Sequence, residues 1–330
     1  MRLSKWSNQA SEKEYKLSDP TSEVIFHAYP QSPVAEKVRV AFGIKGLAWR
    51  KVEIPRLPPK PMLTALTGGY RRTPVMQIGA DIYCDSQCII RELERRFPSP
   101  TFMPTSDQGL MWCLSRWTDG ALFDQTVRHI LGAAGDQLDK DFAADRGRLY
   151  LGEDWAAALK QANADLPHLV SQVRAPLSWL NTQLSDGRAF LLGPQPAAID
   201  AQFYHVVWFL RGRWGDGPSF LSEFKDLVHW EANIQGIGHG TCSDMDPQDA
   251  ISRAKSLEPT AETGVAPHEP QGISVGQPVT VQPDVNGGEQ PVAGTLRYAD
   301  AETVVIERSA EGVGNVCVHF PRSGYRINLL

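Results

Sequence analysis

VIFHAYPQSPVAEKVRVAFGIKG, residues 24–46, decides how this chain is read. Its first six residues are short, β-branched and aromatic, the composition of a strand. Pro30-Gln31-Ser32-Pro33 breaks that run, and the period then changes. Val34, Val38, Ala41 and Phe42 fall at i, i+4, i+7 and i+8, one face of a helix, with Gly43 and Gly46 near its end. AWRKVEI at 48–54 supplies a second strand, so the helix is expected to be a right-handed crossover between parallel strands.

Working outward, a Pro-rich stretch, PRLPPKP, and MLTALTGGYRR lead to TPVMQIGADIYCD. There PVMQI and DIYC can pair as a hairpin around Gly79-Ala80. After Ser86 a helix follows, with Ile89, Ile90, Leu93 and Phe97 on its buried face and Pro98 and Pro100 at its exit. The order β-α-β, an irregular or helical segment, then β-β-α is that of an α/β thioredoxin-like domain.

Strand patterns stop after about residue 106. DQGLMWCLSRWTDGALFDQTVRHIL and DWAAALKQANADLPHLVSQVRAPLSWLNTQL read as helices, and Leu166, Val170, Val173, Leu177, Leu180 and Leu184 form a bundle seam. AIDAQFYHVVWFL is apolar nearly all round and belongs at a bundle centre. From Pro259 periodicity is lost, and PTAETGVAPHEPQG reads as a linker. Beyond it PVTVQP, AGTLRYA, TVVIERS, NVCVHFP and YRINLL alternate, separated by turns at Asn286-Gly287-Gly288 and Gly312-Val313-Gly314. The chain therefore divides into an N-terminal extension (1–22), the thioredoxin-like domain (23–99), an all-helical domain (100–258), a linker (259–270) and a small antiparallel β-barrel, SH3-like, at 271–330. Cleavage in the linker is expected to release a strand-rich fragment and leave a folded remainder.

Net charge is -5, and the residues from Ser256 onward carry all of it: nine acidic residues, four arginines and no lysine. Nucleic-acid binding, which needs clustered Lys and Arg, is not expected. The five cysteines, Cys84, Cys88, Cys113, Cys242 and Cys317, have no framework spacing, which fits a reducing, cytoplasmic location. Neither a secretion signal nor a membrane anchor is read.

Ser32-Pro33-Val34-Ala35 stands where thioredoxins carry Cys-Pro-x-Cys. Thr73-Pro74-Val75, Asp85-Ser86 and FLLGPQPAAID at 190–200 add three further matches in order. Together they resemble the soluble glutathione transferases over about residues 23–235. The resemblance implies glutathione as co-substrate, no metal, a homodimer, and an enzyme that adds the glutathione thiolate to a small, largely apolar electrophile, as in detoxification. Ser32 is the implied catalytic residue, with Tyr29 its rival. Pro74 is the implied cis-proline, Val75 the main-chain partner of the cysteinyl unit, and Ser86 and Asp85 the partners of the γ-glutamyl carboxylate and ammonium. Arg72, ahead of Arg71 and Lys60, is the implied cation for the glycine carboxylate. Tyr29, Pro30, Trp112, Arg116 and Trp117 would wall the second-substrate pocket. A non-catalytic binding or assembly protein is the alternative. A glutathione-dependent thiol reductase fits less well, because it wants cysteine where Ser32 stands.

Several residues take plainer readings. Cys84 and Cys88 are C-x-x-x-C and read as buried apolar thiols. His239 and Cys242 lack a second ligand pair, so a metal there is not expected. His27 reads as packed, and Ala197 lacks the side-chain oxygen of an N-cap ahead of Asp200.

Overall fold

Strand β1 (Val24–Ala28) runs into Ser32, which caps helix α1 (Pro33–Lys45) with Pro33 in its first turn. The helix stops at Gly46, whose φ of 63° suits glycine, and its N–H donates to Gly43 O. A Cβ at Gly43 would lie 2.0 Å from Gly238 O, so glycine is needed where the helix passes that loop. β2 (Ala48–Glu53), α2 (Pro61–Thr67), β3 (Val75–Ile78), β4 (Asp81–Cys84) and α3 (Ser86–Arg96) complete the first domain. The computed structural model describes residues 22–104, 106–285 and 287–330, so nearly all of the 1–22 extension and Asn286 of the expected turn lie outside the described residues.

β1 pairs parallel with β2 and antiparallel with β3, and β3 pairs antiparallel with β4, the thioredoxin arrangement. The two-residue period sorts its side chains. Phe26, Met76, Ile78 and Tyr83 face a core shared with α1, α3 and the helical domain, whereas Val75, Ile82 and Cys84 face the opposite side.

The helical domain holds α4 (Gln108–Trp117), α5 (Phe123–Ala134), α6 (Lys140–Leu151), α7 (Trp155–Ala164), α8 (Leu166–Leu184), α9 (Ala198–Arg213), α10 (Gly217–Leu221) and α11 (Lys225–Ile237). The first long helix read from sequence is divided at a π-type turn, Thr118–Leu122, where Gly120 leaves helical geometry, and the second at Asp165. At the start of α9 the missing cap is replaced by Asp200. Its buried carboxylate accepts from Leu191 N (2.9 Å), Ala197 N (2.8 Å) and Trp230 Nε1 (2.8 Å), and burial pushes its pKa up to about 6.

The chain then returns to the sheet. β5 (Thr241–Asp244) adds parallel to β2, and α12 (Pro247–Lys255) packs against α2. β6 (Gly264–Val265), β7 (Pro278–Pro283), β8 (Val292–Ala299), β9 (Thr303–Ala310), β10 (Gly314–Pro321) and β11 (Tyr325–Leu329) follow. β10 pairs parallel with β4 through Cys317–Asp81, Val318–Ile82 and His319–Tyr83. The result is one sheet ordered β11-β7-β8-β9-β10-β4-β3-β1-β2-β5, with β6 beside β8.

One expectation gains detail here and another changes. The C-terminal strands are antiparallel, as read, in the order β11-β7-β8-β9-β10, and β10 joins them to the central sheet at β4. The stretch read as a free linker is anchored: Thr260 donates twice to Asp81, Arg297 donates to Ala261 O, and Gly264–Val265 pairs with β8. The physical reason is a shared core. Leu63, Leu66, Ile82 and Ile251 pack in one cluster with Val279, Leu296, Ile306, Val318 and Phe320. The acidic charge noted in the sequence is used at the same junction, in the pairs Arg72–Glu289 and Arg91–Glu302. No helix among the described residues is long and apolar enough to cross a membrane.

Candidate functional site

A cleft of about 300 Å³ opens where the carboxyl end of β1 meets the helical domain. Ser32 sits at its floor, 2% exposed. Its Oγ accepts from Ala35 N at 3.2 Å, which leaves the hydroxyl hydrogen to donate outward. Pro33 and Val34 flank it. Tyr29 also lines the cleft, but its hydroxyl accepts from Arg146 Nη2 at 3.3 Å.

The Thr73–Pro74 peptide is cis, and both residues line the cleft. Val75 is fully buried, and its side chain does not reach the cleft wall. Across from them Asp85 and Ser86 open α3. Asp85 accepts from Gln87 N at 2.9 Å and holds φ at 75°, an uncommon value for a non-glycine residue. Burial, then the nearby Asp119, push its pKa up, against the pull of the Gln87 N–H, Lys37 and Tyr325. The Tyr325 hydroxyl donates to Asp85 Oδ2 at 3.0 Å and lies 3.0 Å from the Tyr70 hydroxyl.

Cations line the rest. Arg72, favoured from sequence for the ligand's glycine carboxylate, is held by Glu289 through two bonds of 2.7 and 2.6 Å and donates to Val285 O. Arg71 is paired with Asp145 at 2.7 Å. Arg146 is paired with the same carboxylate and donates to Arg56 O at 2.6 Å. Lys60 differs: its Nζ donates to Arg71 O (3.1 Å) and Thr73 Oγ1 (3.2 Å), with no carboxylate in either bond. Burial, with the charges of Arg146 and Arg71, pulls its pKa down to about 8. Arg116 lies over Gly324 at the mouth, and Phe123, Leu149 and Tyr150 form the apolar wall.

Of the residues expected in the second-substrate pocket, Tyr29 and Arg116 line the cleft and three do not. Trp112 stacks under Arg91, 4.3 Å from the ring centroid, in a separate cavity beside α3. Trp117 packs on Trp179 and Phe203, and Pro30 is exposed outside the lining.

No cysteine lines the cleft, Cys84 and Cys88 are buried, and burial raises both thiols well above their usual range. Burial lowers the pKa of His27 to about 4 against the opposing hydrogen bond with Gln77, and His239 pairs with Glu36. Among the described residues no group of His, Cys, Asp and Glu could hold a metal ion. Sequence reasoning did not find Tyr70, Arg146 and Tyr325, which reach the cleft from three different segments, or Glu289, which pairs with Arg72.

Residues 26–101 match the glutathione S-transferase N-terminal domain. A solved GST-like protein from Pseudomonas syringae is 33% identical, with a TM-score of 0.76 over 94% of this chain and 100% of that one. A tau-class glutathione S-transferase from mango, Mangifera indica, is 16% identical, with a TM-score of 0.49 over 65% of this chain and 89% of that one. No curated protein sequence matches the chain.

Proposed function

Because the chain belongs to the GST-like family, we propose that its cleft binds glutathione, lowers the pKa of the bound thiol and adds the thiolate to a small apolar electrophile. The observation that carries this reading is the meeting of Ser32, Asp85-Ser86 and Lys60 in one cleft. A ligand with one thiol, one ammonium and two carboxylates matches those groups in number and sign. Ser86 and the N-terminus of α3 take the γ-glutamyl carboxylate, Asp85 its ammonium, and Lys60, in preference to the Glu289-paired Arg72, the glycine carboxylate. Ser32 donates to the sulfur at the N-terminus of α1. A hydrogen bond to a charged group gives about 1.5–3 kcal/mol and the helix end about 0.3–1, so a thiol near ~8.5 is lowered by roughly one to three units. The electrophile meets Phe123, Leu149 and Tyr150. A homodimer of this chain has to use surfaces other than the edge of β4, which β10 covers.

Titration calorimetry with S-methylglutathione, followed by conjugation assays on activated aryl halides, epoxides and enones, tests the reading. Absence of binding at millimolar ligand ends it.

Lys60 gives that measurement a sign. The amine binds a carboxylate only when protonated, so affinity is full below about pH 8 and falls as pH rises through that value. Lys60→Met is expected to weaken S-methylglutathione binding about 10-fold or more and to remove this step from the pH profile. An unchanged step in the variant assigns the titration to another group.

A further inference from the structure

The carboxylate meant for the ligand's ammonium is not positioned by the thioredoxin-like domain alone. Tyr325, on the last strand of the chain, donates to Asp85 Oδ2 at 3.0 Å. A phenol has one proton, and this one is committed to Asp85, so the 3.0 Å contact between Tyr325 and Tyr70 has Tyr70 as donor. The order is therefore Tyr70 to Tyr325 to Asp85. Burial raises both phenols well above their usual range, which keeps them donors. Their rings are fixed by each other and by Phe320, with centroids 6.4 Å apart for Tyr70–Tyr325, 5.6 Å for Phe320–Tyr325 and 5.9 Å for Tyr70–Phe320. The charged groups that bear on Asp85 from the other side are Asp119 and Lys37, themselves an ion pair.

We propose that Tyr325 is a positioning residue of the peptide subsite, aiming the Asp85 carboxylate at a ligand ammonium and stabilising its charge, so that the C-terminal sheet is a working part of the cleft. The inference rests on the glutathione reading for the identity of the ligand. The two hydrogen bonds on Asp85, from Gln87 N and from Tyr325, constrain both oxygens from the side of the protein. Among the four aspartates that line the cleft, Asp85, Asp119, Asp124 and Asp284, Asp85 is the one beside Ser86 at the start of α3. Selection for a ligand carrying an amino group then depends on a hydroxyl about 240 residues away in sequence.

Tyr325→Phe in the full chain keeps the ring contacts and removes one hydroxyl. Two measurements read it. Carboxyl ¹³C titration of Asp85 in the ligand-free protein is expected to move up by about one unit, because a hydrogen bond to the charged form is lost. Calorimetry with S-methylglutathione and with its analogue lacking the α-amino group is expected to show a discrimination ratio about 5- to 10-fold smaller than in the parent, with affinity for the analogue unchanged. Tyr70→Phe should shift both readouts in the same direction by less. An unmoved Asp85 titration overturns the proposal, and so does a parallel fall in affinity for both ligands. If the parent binds neither compound, the glutathione reading fails, and the Asp85 titration still decides whether Tyr325 acts on that carboxylate.

Discussion

A chain ended at residue 258 is expected to be insoluble or molten, without the cooperative unfolding and ligand affinity of the full protein. The first reason is the shared core. Leu63, Leu66, Ile82 and Ile251 are buried together with Val279, Leu296, Ile306, Val318 and Phe320, so truncation uncovers one face of the thioredoxin-like sheet. Each such side chain returned fully to water costs about 1.5–3 kcal/mol, and a whole domain is held by about 5–15. Four of them partly re-exposed therefore remove much of the stability. The second reason is the edge of β4, which loses β10 and presents unpaired N–H and C=O groups. Polar ties go too, including the two bonds of Thr260 to Asp81 and that of Arg308 Nη1 to Ala65 O (2.7 Å). Size-exclusion chromatography and near-ultraviolet circular dichroism read the outcome. By the same argument, a full chain nicked at 259–270 should keep its fragments together in native buffer. A soluble 1–258 protein with the melting temperature and S-methylglutathione affinity of the full chain would show the sheet junction to be dispensable.

Ser32→Ala is expected to lower conjugation turnover about 10- to 100-fold and to raise the pKa of bound glutathione by one to two units. The hydroxyl of Ser32 is the proposed donor to the thiol, and its Oγ is the acceptor in the Ala35 contact, which leaves its hydrogen for a ligand. A hydrogen bond to a charged atom contributes about 1.5–3 kcal/mol, and each ~1.4 kcal/mol is a factor of ten. Ligand affinity should change little, because the proposed peptide contacts come from Asp85, Ser86 and Lys60. Stability should fall by about 1 kcal/mol through loss of the N-cap. Ultraviolet titration of the bound thiolate, run beside the conjugation rate, gives both numbers. Ser32→Cys should instead form a mixed disulfide when treated with glutathione disulfide, its thiolate displacing one glutathione as the leaving thiolate. Unchanged thiol pKa and turnover in the alanine variant would transfer the role to Tyr29, whose hydroxyl Arg146 already engages as a hydrogen-bond acceptor.

Legibility followed the range of the interaction. The turn from β1 into α1 and the hairpin of β3 and β4 rest on residues within a few positions of one another, and periodicity and turn chemistry report such contacts. The C-terminal strands were visible individually for the same reason. Their destination was not, because pairing of Cys317 with Asp81 leaves no mark on either local pattern. Arg72 shows the same limit at the site. Its partner Glu289 is 217 positions away, so the sequence presented a free cation where the fold supplies a paired one. Helix breaks also escaped. Gly120 and Asp165 interrupt runs whose apolar spacing continues across them.

The parallel pairing of β10 with β4 sets an order of events during synthesis. The ribosome completes residues 81–84 more than two hundred positions before it reaches 317–319. At about 5–20 residues per second, that interval is on the order of ten seconds or more. Throughout it the nascent thioredoxin-like domain carries an open strand edge beside the apolar face of Ile82. The last strands to emerge act as the chain's own late-arriving chaperone, closing an edge that would otherwise invite pairing with a neighbouring copy.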